Sequence, residues 1–214
     1  MSVTLKSDSY RGIIAKMRNM YVTGFIILLT YIFYTVIYTI QSNEITGTFL
    51  EFIPGIIGIT VLLFSGYTPR DLFLYKARLS LKGALLLCFF FLVLIPILLT
   101  GEWVGFDPID MFLIATLGGI TQELFFRNAL LPYFMRALKG RSFAALVIHA
   151  ILFSLWHLPL ILIEAPVAGV IGVTIVTFIG GLVWGGQVQR DGTVYWAMGQ
   201  HVIYLMLMSM FTWG

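Results

Sequence analysis

Residues 111–134 read MFLIATLGGITQELFFRNALLPYF, an apolar run with Gln122, Glu123 and Arg127 set in its middle. A bilayer core of about 30 Å takes roughly 20 such residues in a helix. A charged side chain at mid-bilayer costs about 2.5–3.5 kcal/mol on insertion scales, so such groups face a protein interior and mark function. This stretch is therefore read as a membrane-spanning helix that carries part of a buried site.

Six further stretches have comparable length and character: 20–40, 46–66, 82–100, 143–163, 166–188 and 193–213. The 214 residues are 59% hydrophobic and 11% charged, with mean hydropathy +0.96, against about 25% charged residues in soluble domains. The expected fold class is all-α: a polytopic transmembrane bundle of about seven spans. Residues 1–19 form an N-terminal segment and 20–214 the transmembrane domain, with no room for a soluble domain.

The net charge of +3 invites a nucleic-acid reading, which the placement of the cations excludes. Lys6, Arg11, Lys16 and Arg18 precede the first span, Arg70, Lys76, Arg78 and Lys82 lie between the second and third, Arg136, Lys139 and Arg141 follow the fourth, and Arg190 follows the sixth. The alternate loops hold Glu44, Glu102, Asp107, Asp110 and Glu164 with no Lys or Arg. This asymmetry predicts a cytoplasmic N-terminus, and an odd number of spans puts the C-terminus outside. Arg127 is the one cation inside a span. The first apolar stretch is too long for a cleaved leader and lacks a small-residue site after it, so it is expected to stay as a helix.

Residues 1–19 suit either a short interfacial helix on anionic lipid or a partly ordered tail. Residues 67–81, GYTPRDLFLYKARLS, combine a Thr-Pro turn signal with amphipathic character, so a linker helix is expected there. Lys139-Gly140-Arg141 is expected to make a tight turn. Cys88, the single cysteine, excludes an intramolecular disulfide and is expected to pack as a small hydrophobe. Gly169, Gly172, Gly180, Gly181, Gly185 and Gly186 crowd the sixth span, and small residues let helices approach closely in lipid. That span is expected to be central. No internal repeat supports a transporter of inverted halves.

Two more polar islands join Gln122, Glu123 and Arg127: His157 in FSLWHLP and His201 in GQHVIYL. Glu123 and Arg127 are four apart, so they share a helix face and can pair; alone, that pair could simply fix packing. Gln122 lies about 100° round the helix and can face a neighbour. Pro159 removes a backbone donor near His157. His149, on the same span, is read as a packing residue nearer the surface.

In this order and spacing, QELFFRNALLP, FSLWHLP and GQHVIYL resemble the three motifs of the CPBP intramembrane proteases, the CAAX-processing and bacteriocin-processing (Abi) family. The family pattern is Glu-Glu-x-x-x-Arg, then Phe-x-x-x-His, then His-x-x-x-Asn or a similar polar residue. Glu123, Arg127, Phe153, His157 and His201 match it over a core of about residues 110–210. The resemblance implies a glutamic-type endopeptidase in which position 122 and His157 hold the attacking water and His201 polarises the scissile carbonyl. Glu123, Arg127 and Phe153 would support them. Implied partners are the lipid bilayer and a membrane-embedded or lipidated peptide or protein substrate, with no nucleic acid. A prokaryotic inner membrane is the expected location.

Two positions depart from the pattern. Gln122 stands where the family has its first glutamate, and an amide can orient water but cannot serve as a general base. Leu205 stands where the family often has an oxyanion donor. Gln122 has three readings: an engineered inactivating change, a natural relative without catalysis, or a site in which Glu123 is the base. The alternative function is a non-catalytic membrane scaffold or bacteriocin-immunity factor. No cofactor is expected; were zinc bound, His157, His201 and Glu123 would be the ligands. Counting from the span edges puts Gln122 near the midplane, His201 somewhat inward and His157 nearer the outer face, unless its span begins in the headgroup region.

Overall fold

In lipid every backbone polar group must be bonded within its own segment, which leaves helices as the main option for runs such as these. The computed structural model describes residues 4–40, 47, 49–76, 81, 85, 88, 92, 95, 99–164 and 167–212. Its helices are α1 (Thr4–Ile40), α2 (Phe52–Phe64), α3 (Thr116–Phe125), α4 (Leu131–Ala137), α5 (Ser142–Glu164), α6 (Val167–Asp191) and α7 (Tyr195–Met208). A π-helical stretch, Asp110–Ala115, leads into α3, and a second, Phe126–Leu130, joins α3 to α4. Glu102–Trp103 pairs antiparallel with Phe211–Thr212, tying the loop before α3 to the end of the chain.

Among the described residues three helices are long and apolar enough to cross a membrane: Asn19–Ile40, Ser142–Pro159 and Val170–Asp191. Phe52–Phe64 is a shorter apolar helix. Most of the expected span 82–100 lies outside the described residues. Its described positions Leu81, Leu85, Cys88, Leu92, Ile95 and Leu99 are helical and exposed. Cys88 thus does not pack in a core; its place on this exposed face is the reason. Helix α1 runs unbroken from Thr4 through the first span candidate, which begins at Asn19.

Hydroxyls within α1 are satisfied by their own helix: Thr23 bonds the carbonyl of Asn19, Thr30 that of Ile26 and Thr35 that of Tyr31. Tight packing on α2 needs glycine. A Cβ on Gly58 would fall 2.6 Å from Ala129 Cβ, and one on Gly55 2.9 Å from Leu124 Cβ. The α3–α4 path therefore lies directly against α2.

That path, not the glycine-rich sixth span, is the centre of the bundle. Phe125 to Pro132 are buried without interruption. Helix α6 uses Gly181 and Gly185 to approach Ala150 and Leu146 of α5, but Ile171, Val173, Ile175, Val176 and Ile179 on its first half are exposed. Its small residues form a contact stripe along one side only.

Residues 67–76 form turns and an irregular strap, so the expected linker helix is absent there; 77–80 lie outside the described residues. The physical reason is competing anchoring. Asp71 Oδ2 accepts from the Thr68 N–H at 2.8 Å and the Thr68 hydroxyl at 2.9 Å, which curls the chain. Leu72 and Phe73 are buried, Asn128 Nδ2 donates to the Leu72 carbonyl, and Val194 N–H donates to the Phe73 carbonyl at 3.1 Å. Phe73 adopts φ +56° to present that carbonyl. The turn at Lys139-Gly140 forms as expected, with Gly140 at φ +81°.

Candidate active site

Each polar residue of α3 has a partner four positions on, at the end of α3 or in the π-helical stretch that follows. Phe125, four after Thr121, meets Tyr34 of α1 at 5.5 Å. Phe126, four after Gln122, meets Phe153 of α5 at 4.9 Å. Arg127, four after Glu123, pairs with it, Nη1 to Oε1 3.2 Å, both fully buried. Three successive positions thus look toward α1 and α2, toward α5, and toward α7.

The α7-facing position is engaged through one carboxylate oxygen, while Glu123 Oε2 is buried without a hydrogen-bond partner among the described residues. Glu123 Oε1 also lies 2.8 Å from His201 Nδ1, in a buried contact. A carboxylate oxygen accepts, so Nδ1 carries the hydrogen and Nε2 is left for the site. His201 stacks on Trp184 of α6, 4.4 Å between centroids at 27°. The Arg127 guanidinium sits 4.1 Å over the Phe153 ring and 5.7 Å from the Trp184 ring. Aromatic faces of this kind hold a desolvated cation by about 2 kcal/mol.

On α5, His157 Nδ1 lies 2.8 Å from the Phe153 carbonyl. A carbonyl only accepts, so Nδ1–H donates and Nε2 is again free to act. The carbonyl released by Pro159 is that of Leu155, one turn back along the helix, so proline does not supply this contact. The Phe153 ring separates the imidazoles, 4.8 Å from His157 and 6.0 Å from His201. Phe153 is the hub of the site.

Phe126 and Phe153 are level with one another, and their helices run in opposite directions. His157 and His201 both lie against the Phe153 ring, so the outward displacement of His157 relative to His201 expected from span edges does not occur, because hydropathy edges ignore where helices cross. Gln122 is 6% exposed, and its Oε1 has no hydrogen-bond partner among the described residues. A buried amide oxygen in this position is an unused acceptor.

His149 is fully buried, not near a surface. It stacks under Phe153, 6.5 Å away and within 5° of parallel, and Gly185 gives it room, a Cβ there falling 3.2 Å from the imidazole. Among the described residues no group of three His, Cys, Asp or Glu side chains is placed to hold a metal ion. Trp184 was not foreseen: an aromatic residue in an apolar run carries no signal of its own.

The family comparison falls on this same constellation. A model of the type II CAAX prenyl endopeptidase Rce1-like proteins matches residues 103–207, which contain Gln122, Glu123, Arg127, Phe153, His157 and His201. The chain belongs to the CPBP family of CAAX-type proteases. No curated protein and no solved structure matches it. The CPBP assignment, with the apolar helices, makes this an integral membrane protein of a peptidase family. The matched motif residues lie on α3, the π-helical stretch that follows it, α5 and α7, which meet at Phe153.

Proposed function

We propose that the protein is an intramembrane endopeptidase of the glutamic type, hydrolysing a peptide bond of a membrane-embedded or lipidated substrate. The observation that carries this reading is the Glu123–His201 bond of 2.8 Å beside Phe153 and His157, which brings three distant motifs together in the membrane. A prenylated C-terminal peptide is the substrate class nearest to the family's own description.

In this mechanism a water sits between the Gln122 amide and His157 Nε2. Its oxygen bonds to the scissile carbonyl carbon while its proton leaves to an acceptor. His201, fixed at Nδ1 by Glu123 and carrying a second hydrogen on Nε2, donates to the carbonyl oxygen as negative charge develops. Preorganised donors aimed at that oxygen are worth about 10²–10³ in rate each. Arg127 and Trp184 hold the Glu123–His201 pair in place. Collapse breaks the C–N bond, and the departing nitrogen takes the proton.

Gln122 and Leu205 favour a second reading, a CPBP-fold scaffold or immunity factor that binds a partner without cutting it. The test is cleavage of a quenched-fluorescence farnesylated CAAX peptide by the purified protein and its Gln122→Glu variant in lipid nanodiscs. Turnover by either supports the peptidase reading, with the Glu form faster. Absence of turnover by both, over a panel of prenylated and unmodified membrane peptides, leaves the scaffold.

A further inference from the structure

Two glutamates are buried among the described residues, Glu123 fully and Glu51 at 3% exposure. Glu123 gives its Oε1 to a cation and an imidazole, so its proton exchange is tied to an ion pair. Glu51, just before α2, is held by hydroxyls: the Thr121 hydroxyl donates to its Oε2 at 3.2 Å and the Tyr34 phenol donates to the same oxygen at 3.3 Å. Tyr34 Oη also lies 3.5 Å from Thr121 Oγ1, and the Thr121 hydroxyl divides its one hydrogen between Glu51 Oε2 and the Gly118 carbonyl at 2.9 Å. A buried carboxyl with neutral partners is a group free to gain or lose a proton without breaking an ion pair.

Its position connects it to the gap in the first motif. Thr121 immediately precedes Gln122 on α3. Tyr34 packs 4.7 Å from Trp156, the residue before His157, and Tyr38, one turn along α1, lies 6.2 Å from His157 itself. The hydroxyl set therefore lies beside Thr121 and Trp156, the residues that immediately precede Gln122 and His157 in the chain.

We propose that Glu51 supplies the carboxyl that position 122 lacks, acting as proton acceptor through the Thr121 and Tyr34 hydroxyls. The proposal rests on the peptidase reading. As the water oxygen bonds to the carbonyl carbon, its proton passes to a hydroxyl oxygen and that hydroxyl's own proton passes to Glu51 Oε2. When the C–N bond breaks, the same route returns the proton to the departing nitrogen. Glu51 ends as it began, and one water has been consumed. Gln122 orients the nucleophile, and the acid–base work is moved to a neighbouring helix.

The test uses the farnesylated peptide with four full-length proteins in nanodiscs: native, Glu51→Gln, Gln122→Glu, and the double variant. Glu51→Gln is expected to lower kcat by about 10²-fold or more, the usual scale of general-base catalysis, with KM little changed. Gln122→Glu in the Glu51→Gln background is expected to restore turnover, which a merely structural role for Glu51 would not allow. Glu51→Asp, which keeps the carboxyl, should retain part of the activity and guards against a fold defect in the amide variant. Unchanged cleavage by Glu51→Gln overturns the proposal, as does a native protein that is inert while Gln122→Glu cuts. Inactivity of native and Gln122→Glu forms alike overturns the peptidase reading, and this proposal with it.

Discussion

His201 Nδ1 and Glu123 Oε1 stand 2.8 Å apart across 78 residues of sequence, and the same carboxylate oxygen takes Arg127 at 3.2 Å. One oxygen thus sets the tautomer of an imidazole on α7 and balances a cation on its own helix. Glu123→Gln keeps the shape but allows an amide N–H to face Nδ1, which would invert the imidazole. By the precedent of carboxylate-held catalytic histidines, kcat for the farnesylated peptide should fall by up to about 10⁴, with KM nearly unchanged. Steady-state kinetics in nanodiscs measure the split. A change confined to KM would show that His201 binds substrate without acting on it.

Arg127 tests the cost of the buried charge. Removing one partner of a buried pair costs roughly 3–5 kcal/mol, whereas replacing both by apolar groups is often neutral. Arg127→Met should therefore lower the unfolding midpoint in detergent markedly, and Glu123→Leu with Arg127→Met should recover most of the loss. Arg127→Lys should not rescue, because an ammonium lacks the flat guanidinium that lies on Phe153.

The strap at residues 67–76 gives a pH prediction outside the membrane. The Thr68 N–H first, then the Thr68 hydroxyl and Arg136, hold the Asp71 carboxyl below its ordinary range. Arg136 Nη2 is 3.6 Å away. A lowered carboxyl contributes stability that is complete above the unfolded value, near pKa 3.9, and is lost as pH falls through the folded one. The protection factor of the Thr68 amide, its exchange rate divided into the intrinsic rate at the same pH, should fall on acidification through that window. In Asp71→Asn it should be low already at neutral pH and nearly flat.

Polar residues in apolar runs are conspicuous, and so Gln122, Glu123, Arg127, His157 and His201 were legible from the chain alone. Phe153 was legible only through its spacing from His157. Glu51 had the same signal, an ionisable residue inside the apolar stretch 46–66, yet its partners Tyr34 and Thr121 are ordinary residues of membrane helices. Trp184 and the central place of α3–α4 depend on which faces meet, and glycine content records close approach without saying on how many sides. The strap at 67–76 misled because Leu72 and Phe73 imitate a helical stripe while anchoring a turn.

Gly119 tests whether the helix spacing, and not just the side chains, sets the site. A Cβ there would fall 2.9 Å from Val202 Cγ2, 3.1 Å from Val202 Cα and 3.2 Å from Val202 N. Two of those atoms are backbone, so α3 and α7 must move apart next to His201. Overpacking of this kind costs about 1–3 kcal/mol in stability, but a 1 Å displacement of reacting groups can cost about 10²-fold in rate. Gly119→Ala should therefore lose turnover out of proportion to its unfolding midpoint. Gly118→Ala, where nothing lies within 4 Å of the added carbon, should fold and cleave as the native protein does. Equal effects at the two glycines would mean that the contact of α3 with α7 does not position Glu123 against His201.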